Sequence, residues 1–516
     1  MAACRSQLDR LLSTAHCARL RVASRQLAYG GRRRIAIDRS ACAYGVHRIK
    51  LQTQCYAAKP RQQQQRQFST PTSSSTTPIS PSPPSAIPPF AFAFDIDGVL
   101  LHVNQPIPGA AAALQHLHRL NIPFILLTNG GGRYEADRVA DLQQRLGLDS
   151  MQTRTDAHDP DCAGPLPILS TANFVQSHTP FQELLDNAAG LDDGAGGDEI
   201  SSGSDGGLRG QTILVTGSDA ARVRTIAERY GFRNVIIPAD ILAAYPAIYP
   251  FNPLLKSVYA ETARPLPKPL LLEGGNLAVN SGEKALSDTD ESNYLRIAAA
   301  FVFNDPRDWA LDIQILTDML QARRGLLGTF DPASLSAKGS EGGTRLFFSN
   351  SDLLWAAKYH LPRFGQGAFA AAVAGVWAQM VSTEQPPLLS PKGGRSTLLG
   401  KPNAATYRFA ERTLRQYRAS LLEAHASQAS PAAKDAPLQT VYMVGDNPDS
   451  DIAGANQFSS AHGTDWCSVL VETGVYDPAR DKSSPDYLRH RPRAIVNDVR
   501  AAVRWALQRE GWPAEF

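Results

Sequence analysis

Asp95 and Asp97 are the first pair of side chains whose type and spacing suggest chemistry. They are separated by one residue, follow the apolar run Phe90–Phe94, and are followed by Gly98. Beyond the end of a buried strand the chain turns, so two acids spaced in this way can both approach a ligand. Gathering them there is unfavourable unless a cation or a reaction requires it. The pattern alone does not separate catalysis from a calcium loop or a plain turn.

Three further segments could complete a site around this pair. Thr128 and Asn129 follow a second apolar run and offer a hydroxyl and backbone amides to a phosphate, or alternatively cap a helix. Lys401 precedes a proline and a predicted helix, and it could neutralise a nucleophile and a phosphate, although a lone lysine is usually a surface residue. The segment 445–451 follows another apolar run and contains three more acids, which could join the same site. Alternatively, the segment forms a turn and a helix cap.

Short apolar runs must position these segments, and such runs are typical of buried parallel strands. Their alternation with helical patterns, such as residues 110–120, predicts a doubly wound α/β sheet. Ligands bind outside the carboxyl ends of the strands in such sheets, where the polar segments lie. The predicted strands are 90–94, 122–127, 441–444 and 468–471, with a second set between them at 212–215, 235–237, 299–303 and 346–348.

Together the polar segments form an ordered set that resembles the haloacid dehalogenase superfamily. The four motifs of that superfamily match Asp95-x-Asp97, Thr128, Lys401, and Asp446 with Asp451. The resemblance implies a Rossmann-like core, and the second set of strands lies where class IIA of the superfamily has an inserted α/β cap. Segments 176–180, 303–309, 362–367, 400–407 and 444–448 resemble the subfamily named after the cat eye syndrome critical region protein.

The resemblance implies a covalent mechanism. Asp95 would attack a phosphorus atom in line and form an aspartyl-phosphate. Asp97 would give a proton to the leaving alcohol and later take one from the hydrolytic water. An acid at position 97 favours a phosphatase or a phosphomutase, because a dehalogenase needs no proton donor there.

The resemblance also implies the groups that bind phosphate and metal. Phosphate oxygens would be held by the Thr128 hydroxyl, the Asn129 and Gly130 amides and the Lys401 ammonium. A Mg²⁺ ion would screen the nucleophile from the phosphate, since this cation prefers oxygen ligands. Its protein ligands would be Asp95, the Asp97 carbonyl and Asp446, with Asp451 orienting the metal-bound waters.

The predicted cap would select the substrate with the side chains that face the site when it closes. The alternative for these side chains is hydrogen bonding within the cap or helix capping. The candidates are Asn304, Asp305, Arg307, Asp308, Asn350 and Asp352.

The N-terminal region differs in composition from the rest of the chain. Residues 1–68 contain many arginines and only two acids, Asp9 and Asp38, which is typical of a mitochondrial transit peptide, here with cleavage after Phe68. The alternative is a basic arm that binds an anionic partner. A Ser/Pro-rich linker follows at 69–89. The predicted core comprises 90–207 and 396–516, and the predicted cap comprises 208–395.

Composition excludes several classes of protein. A net charge of +3 over 516 residues does not indicate a nucleic-acid partner. Cys162 and Cys467 are the only cysteines beyond residue 68, too few for a disulfide framework or a zinc site. No apolar run reaches the ~18 residues that a transmembrane helix needs.

We therefore predict a Mg²⁺-dependent phosphatase of the mitochondrion, with the matrix as its compartment and a small phosphorylated metabolite as its substrate. The resemblance also links it to glycerophospholipid metabolism, and a homo-oligomer formed through the cap is a further prediction. The alternatives are a catalytically weak or silent binding protein on the same fold, and a phosphomutase.

Overall fold

The computed structural model describes residues 87–148, 167–187, 207–272, 291–335, 343–355, 357, 359–382, 387–389, 395–425, 437–482 and 488–516. The predicted transit peptide lies outside the described residues, as does the predicted linker up to residue 86.

The strands follow one another in chain order. They are β1 (Phe90–Phe94), β2 (Leu101–His102), β3 (Gln105–Pro106), β4 (Phe124–Leu127), β5 (Phe174–Val175), β6 (Thr212–Thr216), β7 (Asn234–Ile236), β8 (Ala299–Val302), β9 (Arg345–Phe348), β10 (Leu354–Trp355), β11 (Arg363–Phe364), β12 (Ser396–Leu398), β13 (Thr440–Gly445), β14 (Asp465–Val471) and β15 (Ala494–Val496).

The helices lie between these strands. They are α1 (Ala110–Arg119), α2 (Glu135–Leu146), α3 (Ala220–Tyr230), α4 (Pro238–Ala244), α5 (Lys256–Thr262), α6 (Trp309–Gln321), α7 (Gln366–Met380), α8 (Ala404–Ala424), α9 (Ala453–Gln457), α10 (Pro478–Asp481) and α11 (Val499–Arg509). A 3₁₀ turn at Thr179–Leu185 and a π-helical turn at Pro448–Ile452 also bear on the site. Within the described residues, no helix has both the length and the apolar character needed to cross a bilayer.

The first sheet has the strand order β15-β14-β13-β1-β4-β5, and every pairing is parallel. Side chains alternate across β1, so its phenylalanines pack with α1 and α11 while Ala91 and Ala93 pack with α8. Helices on both faces explain why this strand is apolar throughout. The central position of β1 brings its carboxyl end beside those of β4 and β13.

The second sheet has the order β12-β9-β8-β6-β7 and is also parallel. Ala300 and Val302 of β8 pack with α6 and α7, whereas Ala299 and Phe301 pack with α3. This sheet is also covered on both faces, and it is inserted between β5 and β13 of the first sheet. The predicted fold, a doubly wound α/β core with an inserted α/β cap, is therefore confirmed.

The boundaries between core and cap stay a prediction, and two segments near them contact the second sheet. Phe181, Leu184 and Leu185 were assigned to the core, but they pack in the cluster formed by α3 and the second sheet. Ser396–Leu398 was also assigned to the core, but as β12 it pairs with β9 at the edge of the second sheet. Strand pairing and packing therefore connect both segments to the second sheet, which composition alone does not reveal.

Candidate active site

Lys401 joins the carboxyl ends of the central strands of the first sheet. Its Nζ lies 2.7 Å from Asp95 Oδ1 and 2.7 Å from Asp451 Oδ1, and it donates a hydrogen bond to the carbonyl oxygen of Leu127 at 2.8 Å. Leu127 is the last residue of β4, and Asp95 directly follows β1. The lysine is fully buried, so it is a bound counter-ion and not the surface residue that the sequence alone also allowed.

The Asn129 side chain fixes the backbone of Lys401. The Lys401 amide donates to Asn129 Oδ1 at 2.7 Å, and Asn129 Nδ2 donates to the Lys401 carbonyl at 3.0 Å. An amide side chain has one acceptor and two donors, so it can pair with a whole residue in this way. The sequence predicted a role only for the Asn129 backbone and missed this clamp, since it joins segments far apart in the chain.

The acids predicted to bind metal converge around Lys401. Asp95, Asp446 and Asp451 are all buried, and carboxylate oxygens from the three lie within 4.8 Å of one another. Such a set of oxygen ligands suits a hard cation such as Mg²⁺. Among the side chains described in this cluster, three carboxylates face one ammonium. When all four groups are ionised, two negative charges are not neutralised, and a divalent cation would balance them.

Burial and mutual repulsion perturb the ionisation of these groups. Burial raises the pKa of Asp95 well above its usual range, although Lys401 opposes this effect. Burial, followed by the charge of Asp451, raises the pKa of Asp446 to about 7. Burial alone would lower the pKa of Lys401, but Asp451 and Asp95 outweigh it and raise that pKa above its ordinary value. The ammonium therefore stays charged at neutral pH.

Glycines allow the close approach of chain segments around Asp446. Gly98 has φ +92°, and a Cβ atom there would lie 2.4 Å from Asp446 Oδ2. A Cβ atom on Gly474 would lie 1.8 Å from the same oxygen, and the Val475 amide donates to it at 2.7 Å. Gly98 belongs to a recognised motif, but Gly474 and Val475 were not predicted, because no local pattern marks them.

Asp97 and the predicted phosphate-binding loop line another wall of the site. A Cβ atom on Gly130 would lie 3.3 Å from Thr128 Oγ1 and 3.9 Å from Asp97 Oδ2, so these residues are neighbours. Asp97 is exposed to solvent at the mouth of the site. The surrounding protein nevertheless removes part of its hydration and raises its pKa, although the positive charges of Arg138 and Lys401 oppose the shift. The Gly130 amide donates to Thr128 Oγ1 at 3.0 Å, so here it is engaged within the loop.

The cap candidates occupy different environments. Asn350 Nδ2 donates to the Asn129 carbonyl at 2.9 Å, and Asp352 Oδ1 accepts from Asn129 Nδ2 at 3.0 Å, so both reach the active-site loop. Asn304 bonds to the backbone and hydroxyl of Ser218 within the cap. Asp308 caps α6 by accepting from the Leu311 amide, which is the structural alternative noted above.

The two remaining cap candidates, Asp305 and Arg307, lie beside each other in the segment between β8 and α6. Arg307 is exposed. Burial raises the pKa of Asp305, although the charge of Arg307 opposes the shift. The roles of all the cap candidates in substrate binding stay predictions.

A buried hydrogen-bond chain that the sequence did not reveal links the cap to the loop after β4. The Gly132 amide donates to His178 Nε2 at 3.1 Å, so the ring proton is on Nδ1 and faces the Tyr230 hydroxyl at 2.7 Å. Tyr230 donates to Glu135 Oε1, which also accepts from Thr179 at 2.8 Å. Burial lowers the pKa of His178 to about 4, so the ring stays neutral. Tyr230 ends a cap helix, whereas Glu135 begins a core helix.

Comparison with known proteins gives matches over most of the chain. Residues 92–233 match the family described as haloacid dehalogenase-like hydrolase, and residues 398–502 match one described as HAD-hydrolase-like. The chain is 33% identical over 426 residues to a mitochondrial hydrolase of Saccharomyces cerevisiae. The aligned region covers 81% of this chain and 96% of that protein.

Two other similarities are more limited. A cardiolipin synthase (CMP-forming)/mitochondrial hydrolase fusion protein of Schizosaccharomyces pombe is 30% identical over 427 residues, which is 82% of this chain and 54% of that longer protein. A solved structure of a possible sugar phosphatase from Cytophaga hutchinsonii is 14% identical, covering 79% of this chain and 93% of that one. Its TM-score of 0.43 is too low to bear on fold or function.

We predict that the metal-free protein loses stability as the pH rises from about 4 to about 7. Asp446 favours its protonated form in the folded state, because its pKa is raised from 3.8 to about 7. Its contribution to folding stability is therefore present at low pH and lost as the pH rises through this range.

Asp446→Asn removes the charge and keeps an oxygen for the Val475 amide. In chelator at pH 8 the variant should be more stable than the wild type by about 1–3 kcal/mol, and the gain should shrink at pH 5. Urea unfolding measures both values, and a variant less stable at pH 8 would show that repulsion does not dominate.

We also predict that Tyr230→Phe destabilises the protein by about 1–3 kcal/mol, because it leaves the buried His178 Nδ1–H without an acceptor. Tyr359→Phe is the matched control, since Tyr359 is exposed, and it should change stability by less than about 0.5 kcal/mol. Denaturant unfolding of both variants gives the comparison. Equal stabilities would mean that the buried chain contributes nothing to folding.

Proposed function

The chain belongs to the haloacid dehalogenase-like hydrolases, and from that membership we propose that it hydrolyses a small phosphate monoester through an aspartyl-phosphate on Asp95. The observation that carries the proposal is the contact of 2.7 Å between Asp95 and the buried Lys401, beside two further acids at one sheet edge. A carboxylate held against an ammonium at the end of a central parallel strand is placed where a ligand of this fold binds.

The nucleophile and its counter-ion act together in the first step. One Asp95 oxygen faces Lys401, and the carboxylate attacks phosphorus in line as the ester oxygen leaves. The Thr128 hydroxyl and the amides of its loop bind the phosphate oxygens, and the Gly130 amide exchanges its bond to Thr128 Oγ1 for one to phosphate. Lys401 offsets the repulsion between carboxylate and phosphate, which is the main obstacle to attack at a separation of ~3–3.5 Å.

Asp97 supplies the proton that an alcohol leaving group needs. Its carboxyl group lies beside Gly130 at the mouth of the site, and its raised pKa increases the fraction that carries a proton. After proton transfer to the leaving oxygen, the Asp97 carboxylate accepts a proton from the water that cleaves the aspartyl-phosphate. This pairing of a nucleophile with a nearby acid supports a phosphatase over a silent binding protein.

Asp95, the Asp97 carbonyl and Asp446 would hold a Mg²⁺ ion, and Asp451 would orient its waters. When bound, the ion would supply the positive charge that three clustered carboxylates and a phosphate otherwise lack. The Val475 amide donates to the Asp446 carboxylate, and Gly98 and Gly474 leave space for that carboxylate, so this side of the site is oriented by the protein itself.

Several finer features belong to the same proposal. The arginine-rich N-terminus and the mitochondrial hydrolases among the relatives support a mitochondrial location, and we propose the matrix, with removal of residues 1–68. One relative is a hydrolase fused to a cardiolipin synthase, which supports a place in glycerophospholipid metabolism. A small phosphorylated metabolite as substrate and a homo-oligomer formed through the cap complete the proposal.

Substitution of the two active-site acids tests this mechanism. Asp95→Asn should lower kcat by about 10³-fold or more on every substrate, because the amide is no nucleophile. Asp97→Asn should keep activity within about tenfold on an aryl phosphate, whose leaving group needs no proton, and lose about 10²-fold or more on an alkyl phosphate. Turnover of both esters over a Mg²⁺ titration gives the measurement.

Asp186→Asn is the matched control for these variants, because Asp186 is exposed and pairs only with Arg209 among the described contacts. It should behave as the wild type. Near-wild-type turnover by Asp95→Asn would exclude the covalent route. An equal loss on both esters in Asp97→Asn would exclude its role as the proton donor.

A further inference from the structure

Two segments of the cap expose large apolar side chains to solvent. Leu254 is 71% exposed and Phe364 is 68% exposed, which is unusual for side chains of this size in a monomer. We call the whole set the apolar rim. Its members are Phe251, Leu254, Val258, Leu353, Leu354, Trp355, Tyr359, Leu361 and Phe364.

The two segments of the rim meet at the start of α6. The ring of Trp309 packs against that of Phe364 with 6.2 Å between their centroids. The preceding residue, Asp308, accepts hydrogen bonds from the Leu254 amide at 3.1 Å and the Tyr259 hydroxyl at 3.2 Å. Because Asp308 and Trp309 are adjacent, the segment before α5 and the hairpin β10–β11 lie on the same side of the cap. The exposed side chains therefore form one surface and not scattered residues.

The rim borders the active site. Asp352 contacts the Asn129 side chain at 3.0 Å, and the first residue of the rim hairpin, Leu353, follows it directly. The base of the hairpin is closed by hydrogen bonds from the Gly365 amide to the Leu353 carbonyl and from the Gly367 amide to the Asp352 carbonyl, both at 2.9 Å. Whatever covers the rim is thus held near the mouth of the site.

Charge identifies the kind of partner that the rim fits. The sequence has no acid between residues 353 and 382, and none between 241 and 260. The same stretches carry Lys256, His360 and Arg363, and Arg363 lies over the Tyr359 ring at 4.6 Å. Exposed leucine, phenylalanine, tryptophan and tyrosine mixed with basic residues are typical of surfaces that enter the interface of an anionic bilayer.

We propose that the apolar rim docks this protein on the surface of an anionic lipid bilayer. The aromatic and aliphatic side chains enter the boundary between headgroups and acyl chains, and the basic residues contact the anionic headgroups. Docking holds the mouth of the active site against the membrane surface. This inference does not depend on the proposed phosphatase activity, because it concerns binding alone.

A second copy of the chain fits the rim less well than a membrane does. A two-fold interface places the same patch against itself, so the exposed Lys256 and Arg363 of each subunit would face a patch that carries the same basic residues. A bilayer surface with anionic headgroups provides both the apolar layer and the opposite charge.

Vesicle binding by the full-length protein tests the proposal. Phosphatidylcholine vesicles with and without an equal part of phosphatidylglycerol are the probes, and co-sedimentation at low and high salt is the measurement. The wild type should bind the anionic vesicles at least about tenfold more tightly, with the preference reduced by salt. Phe364→Ser and Trp355→Ser should each weaken this binding about tenfold, and Arg363→Gln should weaken it only on anionic vesicles.

Leu488→Ser is the matched control, since Leu488 is an exposed leucine in the other part of the fold, and it should bind as the wild type does. The basic N-terminal segment is present in every variant and would itself favour anionic vesicles, so the difference between each variant and the wild type is the measure of the rim. Thermal unfolding establishes that each variant is folded.

Three results would overturn docking through the rim: no preference for anionic vesicles, equal binding by the Phe364 and Leu488 variants, or a wild-type dimer that Phe364→Ser dissociates. The last result would assign the rim to a second copy of the chain. Sedimentation velocity of both variants without lipid distinguishes that case.

Discussion

Repulsion between buried carboxylates is the interaction on which the rest of this structure depends. Asp95, Asp446 and Asp451 are brought within 4.8 Å of one another at the carboxyl edge of the first sheet, where burial removes most of their hydration. Such an arrangement is stable only if other groups compensate for the charge. Lys401 does so directly, and its position is fixed by the Leu127 carbonyl and by both polar atoms of the Asn129 amide. The same unbalanced negative charge makes the site able to take a divalent cation.

The cap is part of this arrangement and not an independent addition. Asn350 and Asp352 follow β9 of the second sheet, yet they bond to Asn129 in the loop after β4. On the opposite side, Tyr230 at the end of a cap helix bonds to Glu135 at the start of a core helix. The loop that carries Thr128 and Asn129 is therefore held from two sides by cap residues. Movement of the cap would therefore displace this loop, where we expect a phosphate to bind.

The sequence predicted those features that depend on local pattern. Short apolar runs predicted the central strands, because a strand covered on both faces must be apolar throughout. The polar motifs were recognised because each follows the end of such a run. Features created by the approach of distant segments were not predicted. The Asn129 clamp joins residues 129 and 401, and the recess around Asp446 needs Gly98 and Gly474 together. For the same reason the sequence did not show that β12 pairs with β9 at the edge of the second sheet.

We propose that Asp95 becomes phosphorylated during turnover, and the stereochemistry at phosphorus tests this step most directly. The substrate for this test is an ester whose phosphorus is made chiral with oxygen isotopes and sulfur, and the configuration of the released thiophosphate is the measurement. Two successive in-line displacements, first by Asp95 and then by water, each invert the phosphorus centre, so we expect overall retention. Net inversion would mean that water attacks the ester directly, and it would contradict the covalent mechanism.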